Sequence, residues 1–447
     1  MNTPNMLNTY EIPLDSLEKF WSNGSMAKWK KNNSLGDLQN SITNTITKTE
    51  DGNQFTDFDI LMLRNIMYSS VEFEEPIPEL TRRKIIWEAL NTIKTKRRLS
   101  NKLLLDEISK LESNYLAKPK HRIIVTATIS LEIPEELSTI HFGRAQIIFE
   151  KCLPSRFFEY QKKLLPVAKK SLFAEPPKNY SSVRIHVTAR TIEEAFYQAS
   201  EHLESIRSIW NLYINTTNPR FFRLPLNVKQ KPINKIVLGP LFFFHKTSGE
   251  LFTQNHYVCT PDYVTQIANH KFTDYSDIKK FSSDVQSQLS KSQYKYDLSQ
   301  AIITYSKALD ERSPENAFLQ LWGVLEKITG TVKKTHDETV ERASYPYSDY
   351  LHRRLILNEL KNYRNRAVHT NIENSETPEY LYQLKIIVEH HLLNNIRNPF
   401  NFSSFDDVYF MFGLPHDKKA LEERITKSEK ETRLTKIALQ YFSRNIP

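Results

Sequence analysis

The sequence predicts an α+β protein: an N-terminal helical and α+β portion followed by a C-terminal all-α bundle. Two observations carry this. In the stretch from Val183 to Ala189, the side chains of Val183, Ile185, Val187 and Ala189 alternate with Arg184, His186, Thr188 and then Arg190, and a long helical pattern follows at once. From about Tyr263 onward, apolar residues recur almost throughout at helical spacing. These shifts divide the chain into residues 1–118, mostly helical, 119–262, an α+β domain, 263–398, a helical bundle, and 399–447, a charged helical tail.

The first fifty residues are rich in Asn, Ser and Thr and carry no strong pattern. From Phe55 to Ala117 the spacing turns helical, with Ile85, Ile86, Leu90, Ile93, Leu103, Leu104, Ile108 and Leu111 set among Lys and Arg. The run Lys94-Thr95-Lys96-Arg97-Arg98 could touch RNA, although such runs are commonly a solvated face. Strand patterns then cover His121 to Leu131, Ala145 to Phe149, Val183 to Ala189 and Lys235 to Phe244. Thr191 and Glu194 have the spacing of a capping box, and the helix after them continues through Ala199, Leu203, Ile206 and Trp210. The face with Arg184 and His186 is a conceivable nucleic-acid surface, but is read first as an ordinary wet sheet face.

In the bundle, Ser313 has the chemistry of an N-cap, Pro314 and Glu315 suit a first turn, and Gly330 ends the helix. Its buried stripe is expected at Phe318, Leu321, Leu325 and Ile328. A later helix opens at Thr377-Pro378-Glu379 and buries Leu381, Leu384, Val388 and Leu392. Between the two lies a basic segment with Ile356, Leu360, Tyr363 and Ala367 spaced four, three and four apart. Such stripes make an antiparallel bundle. A last helix is expected from about Asp417 to Tyr441.

Composition narrows the function classes. The net charge of +9 favours a polyanionic partner. With only 9 glycines and neither a Walker A nor a dinucleotide fingerprint, phosphate-cradling loops are not indicated. Cys152 and Cys259 are too few for a disulfide framework or a thiolate metal cluster, are read as buried structural cysteines, and fit a reducing, cytoplasmic setting. No metal site is expected: the adjacent His390 and His391 point to different sides of a helix. Neither a secretory signal nor a membrane span is indicated, since the patch Leu241-Phe242-Phe243-Phe244 is too short to cross a bilayer.

The chemistry-bearing stretch runs from Leu360 to His369. Arg364, Asn365 and His369 sit in a segment that also contains Arg353, Arg354, Lys361 and Arg366, the last four being candidate RNA contacts. A fixed cation beside a group that titrates near neutrality is what RNA backbone cleavage needs without a metal. On a regular helix Arg364 and His369 stand about 140° apart, so one helix cannot aim both at a single phosphate. Either the helix breaks between them, or two subunits contribute residues to one site. Glu326, beside the stripe of its own helix, is a supporting residue expected to pair with Arg364. Each member also has a purely structural use: an ion pair for Arg364, a turn cap for Asn365, an ordinary surface position for His369.

The two segments Ala317-Phe318-Leu319-Gln320-Leu321-Trp322-Gly323-Val324-Leu325-Glu326 and Leu360-Lys361-Asn362-Tyr363-Arg364-Asn365-Arg366-Ala367-Val368-His369 resemble the HEPN superfamily. Within it they look like the ApeA-type HEPN domains of bacterial anti-phage defence proteins. The family motif is Arg, then a polar residue, then a short gap to His, and Arg364, Asn365 and His369 fill it. The resemblance covers residues 265–398; Ile236-Val237-Leu238-Gly239-Pro240 is similar to what precedes it, though less specifically.

The resemblance implies a metal-independent endoribonuclease without a cofactor, active as a homodimer through the HEPN domain with both motifs in one cleft. The ribose 2′-hydroxyl attacks the adjacent phosphorus, His369 acts as general base or acid, Arg364 holds the phosphate, and Asn365 orients either. The biological setting it implies is abortive infection, with tRNA or mRNA as substrate and a phage-derived trigger. Some HEPN toxins have a Tyr, two places after the His, that a nucleotidyltransferase modifies; here Asn371 stands there, so that regulation is not carried over. The alternatives are a non-catalytic HEPN module that binds RNA, a nucleotide or a partner protein, and a structural dimer scaffold.

Overall fold

The computed structural model describes residues 28–29, 65–73, 77–94, 101–143, 145–172, 177–217, 232–253, 257–260, 267–370 and 376–444. The chain forms two compact units: residues 1–207 with 236–275, and residues 208–235 with 276–447. The protein is a mixed α+β chain with an antiparallel sheet in the first unit and a helical C-terminal unit.

In the first unit, β1 (Lys28–Trp29) pairs antiparallel with β2 (Val71–Glu72). Helices α1 (Glu79–Lys94) and α2 (Asn101–Leu116) bury Ile85, Ile86, Leu90, Leu104 and Ile108 as their spacing requires, whereas Leu103 is exposed. The basic run from Lys94 to Arg98 lies outside the described side chains. Within the first unit, Tyr115 on α2 donates from its hydroxyl to Glu194 Oε2 at 2.9 Å.

The sheet consists of β3 (His121–Ile129), β4 (Thr139–Phe142), β5 (Ala145–Glu150), β6 (Ser181–Ala189), β7 (Leu241–His245) and β8 (Tyr257–Cys259). Its order is β4-β5-β6-β3-β7-β8, with every neighbour antiparallel. Helix α4 (Ile192–Thr217) buries Ala195, Ala199, Leu203 and Ile206, and its Phe196 meets Phe242 edge to face at 5.1 Å. The opposing sheet face is built by Val183, Ile185 and Val187, all buried. The cap of α4 departs from a reciprocal box. Thr191 Oγ1 accepts from Glu194 N at 3.3 Å, but the Glu194 carboxylate turns to Arg190 N at 2.7 Å and to Tyr115.

The other sheet face is not the wet face expected. Helix α3 (Ser155–Leu172) covers part of it. Arg184 is buried, holding Glu150 through two hydrogen bonds of 2.7 and 2.6 Å, with its guanidinium 5.1 Å over the ring of Phe157. A bidentate pair satisfies the charge that burial would otherwise penalise. Burial and the neighbouring Arg184 and Arg156 push His186 below its ordinary pKa. The strand expected from Lys235 begins only at Leu241. Gly239 N donates to Thr128 O at 2.7 Å so closely that a Cβ at Gly239 would lie 1.9 Å from Thr128 Oγ1, and Pro240 offers no N–H.

The second unit begins within α4, whose Ile209 and Leu212 belong to its core. It continues with α5 (Tyr275–Lys291), α6 (Lys295–Asp310), α7 (Pro314–Thr329), α8 (His336–Ser344), α9 (Tyr350–Thr370), α10 (Thr377–Arg397), α11 (Phe405–Phe412) and α12 (Lys418–Arg444). Helix α7 packs chiefly against α6 and α10, while α8 packs against α9. Phe318, Leu321, Leu325 and Ile328 are fully buried, as their spacing predicts. Ser313 caps α7 by accepting from Asn316 N, and Gly330 closes it in the left-handed region at φ 68°. A polar chain crosses this core: Tyr305 donates to Glu389, whose Oε1 lies 2.7 Å from Lys385 Nζ, and Lys385 also donates to Asn215 O at 3.1 Å.

Among the described residues, no helix is long and apolar enough to cross a membrane.

Candidate functional site

The basic segment is one unbroken helix, α9, from Tyr350 to Thr370. Its buried stripe is Leu357, Leu360 and Tyr363, with Ile356 and Ala367 partly buried at its margins. Tyr363 sets the helix in place. Its hydroxyl shares a hydrogen bond of 2.6 Å with Thr377 Oγ1, its ring meets Phe318 edge-on at 4.7 Å, and Tyr380 stacks on it at 4.8 Å. Because α9 does not break between Arg364 and His369, the break that would let one helix aim both residues inward is absent. The side chain of His369 lies outside the described residues. Arg364 is half-buried on the flank of the stripe and has no ion pair with a described carboxylate, and Asn365 is exposed.

The other cations are engaged differently. Arg353 Nε lies 3.2 Å from Asp349 Oδ2, and the guanidinium covers the Tyr347 ring at 4.9 Å. Arg354 pairs with Glu341. Lys361 Nζ lies 2.6 Å from Asp337 Oδ1 and 3.1 Å from Asn358 Oδ1. The hydrogen bond and charge of Lys361 hold the Asp337 carboxyl below its usual range. Arg366 is exposed, near enough to Tyr363 and Tyr380 for its charge to act on both phenols. Carboxylates therefore offset Arg353, Arg354 and Lys361, whereas Arg364 has no described carboxylate partner.

Glu326 does not pair with Arg364. Its Oε1 accepts from Trp322 Nε1 at 2.8 Å and lies 3.1 Å from His336 Nδ1. The reason is local: Trp322 is one turn back on α7, and after Gly330 the chain folds so that the first residue of α8 meets the last turns of α7. Thr335 starts α8 with a full capping box to Glu338. His336 was missed because a search for an Arg upstream of each His passes over it. The signal that finds it is the capping box, which puts His336 at the first helical position after the turn.

Elsewhere, His391 is fully buried, bonds to Ala343 O through Nε2 at 2.9 Å, and is pushed down by burial to a pKa of about 4. His390 stacks on Tyr347 at 4.4 Å. Among the described residues no group of three or more His, Cys, Asp or Glu could hold a metal ion. Cys152 is exposed rather than buried, and Cys259 is half-buried.

No protein-family model, curated protein or solved structure matches the chain.

Proposed function

We propose that the chain is a metal-independent endoribonuclease whose helical unit is a HEPN domain of the kind the ApeA-type segments resemble. The observation that carries this reading is Arg364: a half-buried residue without a described carboxylate partner, on a helix that continues through Asn365 to His369. A guanidinium that no described carboxylate engages is suited to a phosphate, because its planar donors match two phosphate oxygens. We assign the site to two copies of the chain, one supplying Arg364 and the other His369, because a single continuous helix sets these residues about 140° apart.

In the reaction the 2′-hydroxyl loses its proton to a general base as its oxygen bonds to phosphorus. The bond from phosphorus to the 5′-oxygen breaks, and that oxygen takes a proton from a general acid, leaving a 2′,3′-cyclic phosphate and a 5′-hydroxyl. His369 is assigned to proton transfer, Arg364 to the charge developing on the phosphoryl oxygens, and Asn365 to orienting the imidazole or the phosphate. The 2′-hydroxyl requirement restricts cutting to RNA. We assign the activity to tRNA or mRNA in anti-phage defence in the cytoplasm, with the first unit restraining the nuclease until a phage-derived trigger arrives. A freely active ribonuclease would poison its own cell.

The test is incubation of the purified chain with RNA in the presence of a chelator, comparing wild type with Arg364→Ala and His369→Ala. Fragments ending in cyclic phosphate from wild type alone support the reading. Binding of RNA without any cleavage supports the non-catalytic module instead.

A further inference from the structure

At the start of α8 the second unit brings together side chains from α7, α8 and α9. The Glu326 carboxylate that receives Trp322 Nε1 also lies 3.1 Å from His336 Nδ1. A carboxylate oxygen accepts, so Nδ1 is the nitrogen that donates here, and in the tautomer with one ring proton the lone pair stands on Nε2. The Trp322 ring meets the imidazole edge-on, 6.0 Å between centroids, and holds it from the side. The His336 side chain is 29% exposed, and no described residue bonds to Nε2. The next residue, Asp337, takes Lys361 Nζ and so anchors α9 beside this histidine. Arg364 follows Lys361 by one turn, about 4.5 Å along the helix axis.

This open lone pair differs in kind from its neighbours. Guanidinium and ammonium groups only donate, so they can reach a phosphate or the oxygen of a hydroxyl, whereas a ring-nitrogen lone pair can take the hydroxyl's own proton. An RNA strand offers both partners side by side, a phosphate that accepts and a ribose 2′-hydroxyl that donates.

We infer that this surface binds single-stranded RNA through its ribose, His336 Nε2 accepting from a 2′-hydroxyl while Arg364 takes the adjacent phosphate. His336 is then the residue that separates RNA from DNA, and Glu326 is a positioning residue that sets its tautomer. The inference rests on Arg364 being the phosphate ligand proposed above, but it does not require that the RNA be cut.

The experiment is fluorescence anisotropy with a labelled single-stranded RNA and the DNA of the same sequence, using the full chain carrying His369→Ala so that the RNA survives. Adding His336→Ala lowers RNA affinity about fivefold and leaves DNA affinity within about twofold, as expected for one lost hydrogen bond. His336→Gln, whose amide oxygen reaches the place of Nε2, keeps most of the preference, and Glu326→Gln gives an intermediate loss. An RNA preference unchanged by His336→Ala overturns the inference, as does an absence of binding to either strand. The nuclease reading fails separately: if wild type leaves RNA intact while His336→Ala erases the preference, ribose recognition stands and cleavage falls. If wild type cuts RNA and the preference ignores His336, the reverse holds.

Discussion

Helix α7 carries Phe318, Trp322 and Glu326, and its two glycines should respond to alanine with opposite signs. A Cβ at Gly323 meets nothing within 4 Å, on the exposed side of a helix interior. Gly323→Ala should therefore stabilise the second unit by about 0.5–1 kcal/mol, the difference in helix propensity and unfolded-state freedom. Gly330 sits at φ 68°, and its Cβ would fall 2.4 Å from Cγ of Tyr409, whose hydroxyl donates to Lys327 O at 2.8 Å. The left-handed backbone costs alanine about 1–2 kcal/mol. Displacing a ring anchored at its far end adds about 1–3 kcal/mol. Allowing for the offsetting gain from a stiffer unfolded chain, Gly330→Ala should lose roughly 2–4 kcal/mol. Urea unfolding followed by far-UV circular dichroism measures both, and the midpoints should move in opposite directions at similar slope. A destabilising Gly323→Ala, or a Gly330→Ala loss below about 1 kcal/mol, would refute the placement of α7 and its cap.

Further outcomes follow from buried charge and unit boundaries. His391 is neutral when folded, with a pKa of about 4 against an ordinary value of 6.5. The stability this gives is complete above pH 6.5 and is lost as pH falls towards 4, an effect of about 3 kcal/mol. Unfolding titrations should show that loss, and His391→Leu should flatten it. Lys385→Met leaves Glu389 buried without its cation and should cost roughly 3–5 kcal/mol, whereas Lys385→Met with Glu389→Leu should recover most of it in the same assay. A fragment starting at residue 261 lacks Ile209 and Leu212, buried at 2% and 0% in the second unit's core. It should be markedly less soluble on expression than a fragment starting at residue 208.

Much of the architecture was legible because local chemistry decided it. Ser313, Pro314 and Gly330 bracket α7 by capping alone, and the alternation of Val183, Ile185 and Val187 places one face of β6. What sequence could not give was the identity of remote partners. Arg184 looked like a wet-face residue because Glu150 and Phe157, which make its burial tolerable, arrive from elsewhere in the chain. Helical phase placed Glu326 beside the stripe but could not choose between Arg364 and His336. The choice depends on how sharply the chain turns after Gly330. Likewise, the spacing from Arg364 to His369 left open whether the helix breaks between them, and α9 does not break. The division of α4 between two units has no local signature, since both halves of that helix bury apolar residues.

The central claim is that Arg364 and His369 make this chain a ribonuclease, and the most direct measurement is growth after induction, with total RNA run on a denaturing gel. The account predicts arrest and RNA fragmentation with wild type, on induction or on phage challenge, and neither with Arg364→Ala or His369→Ala expressed at the same level. Arrest with RNA fragmentation that survives both substitutions would contradict it.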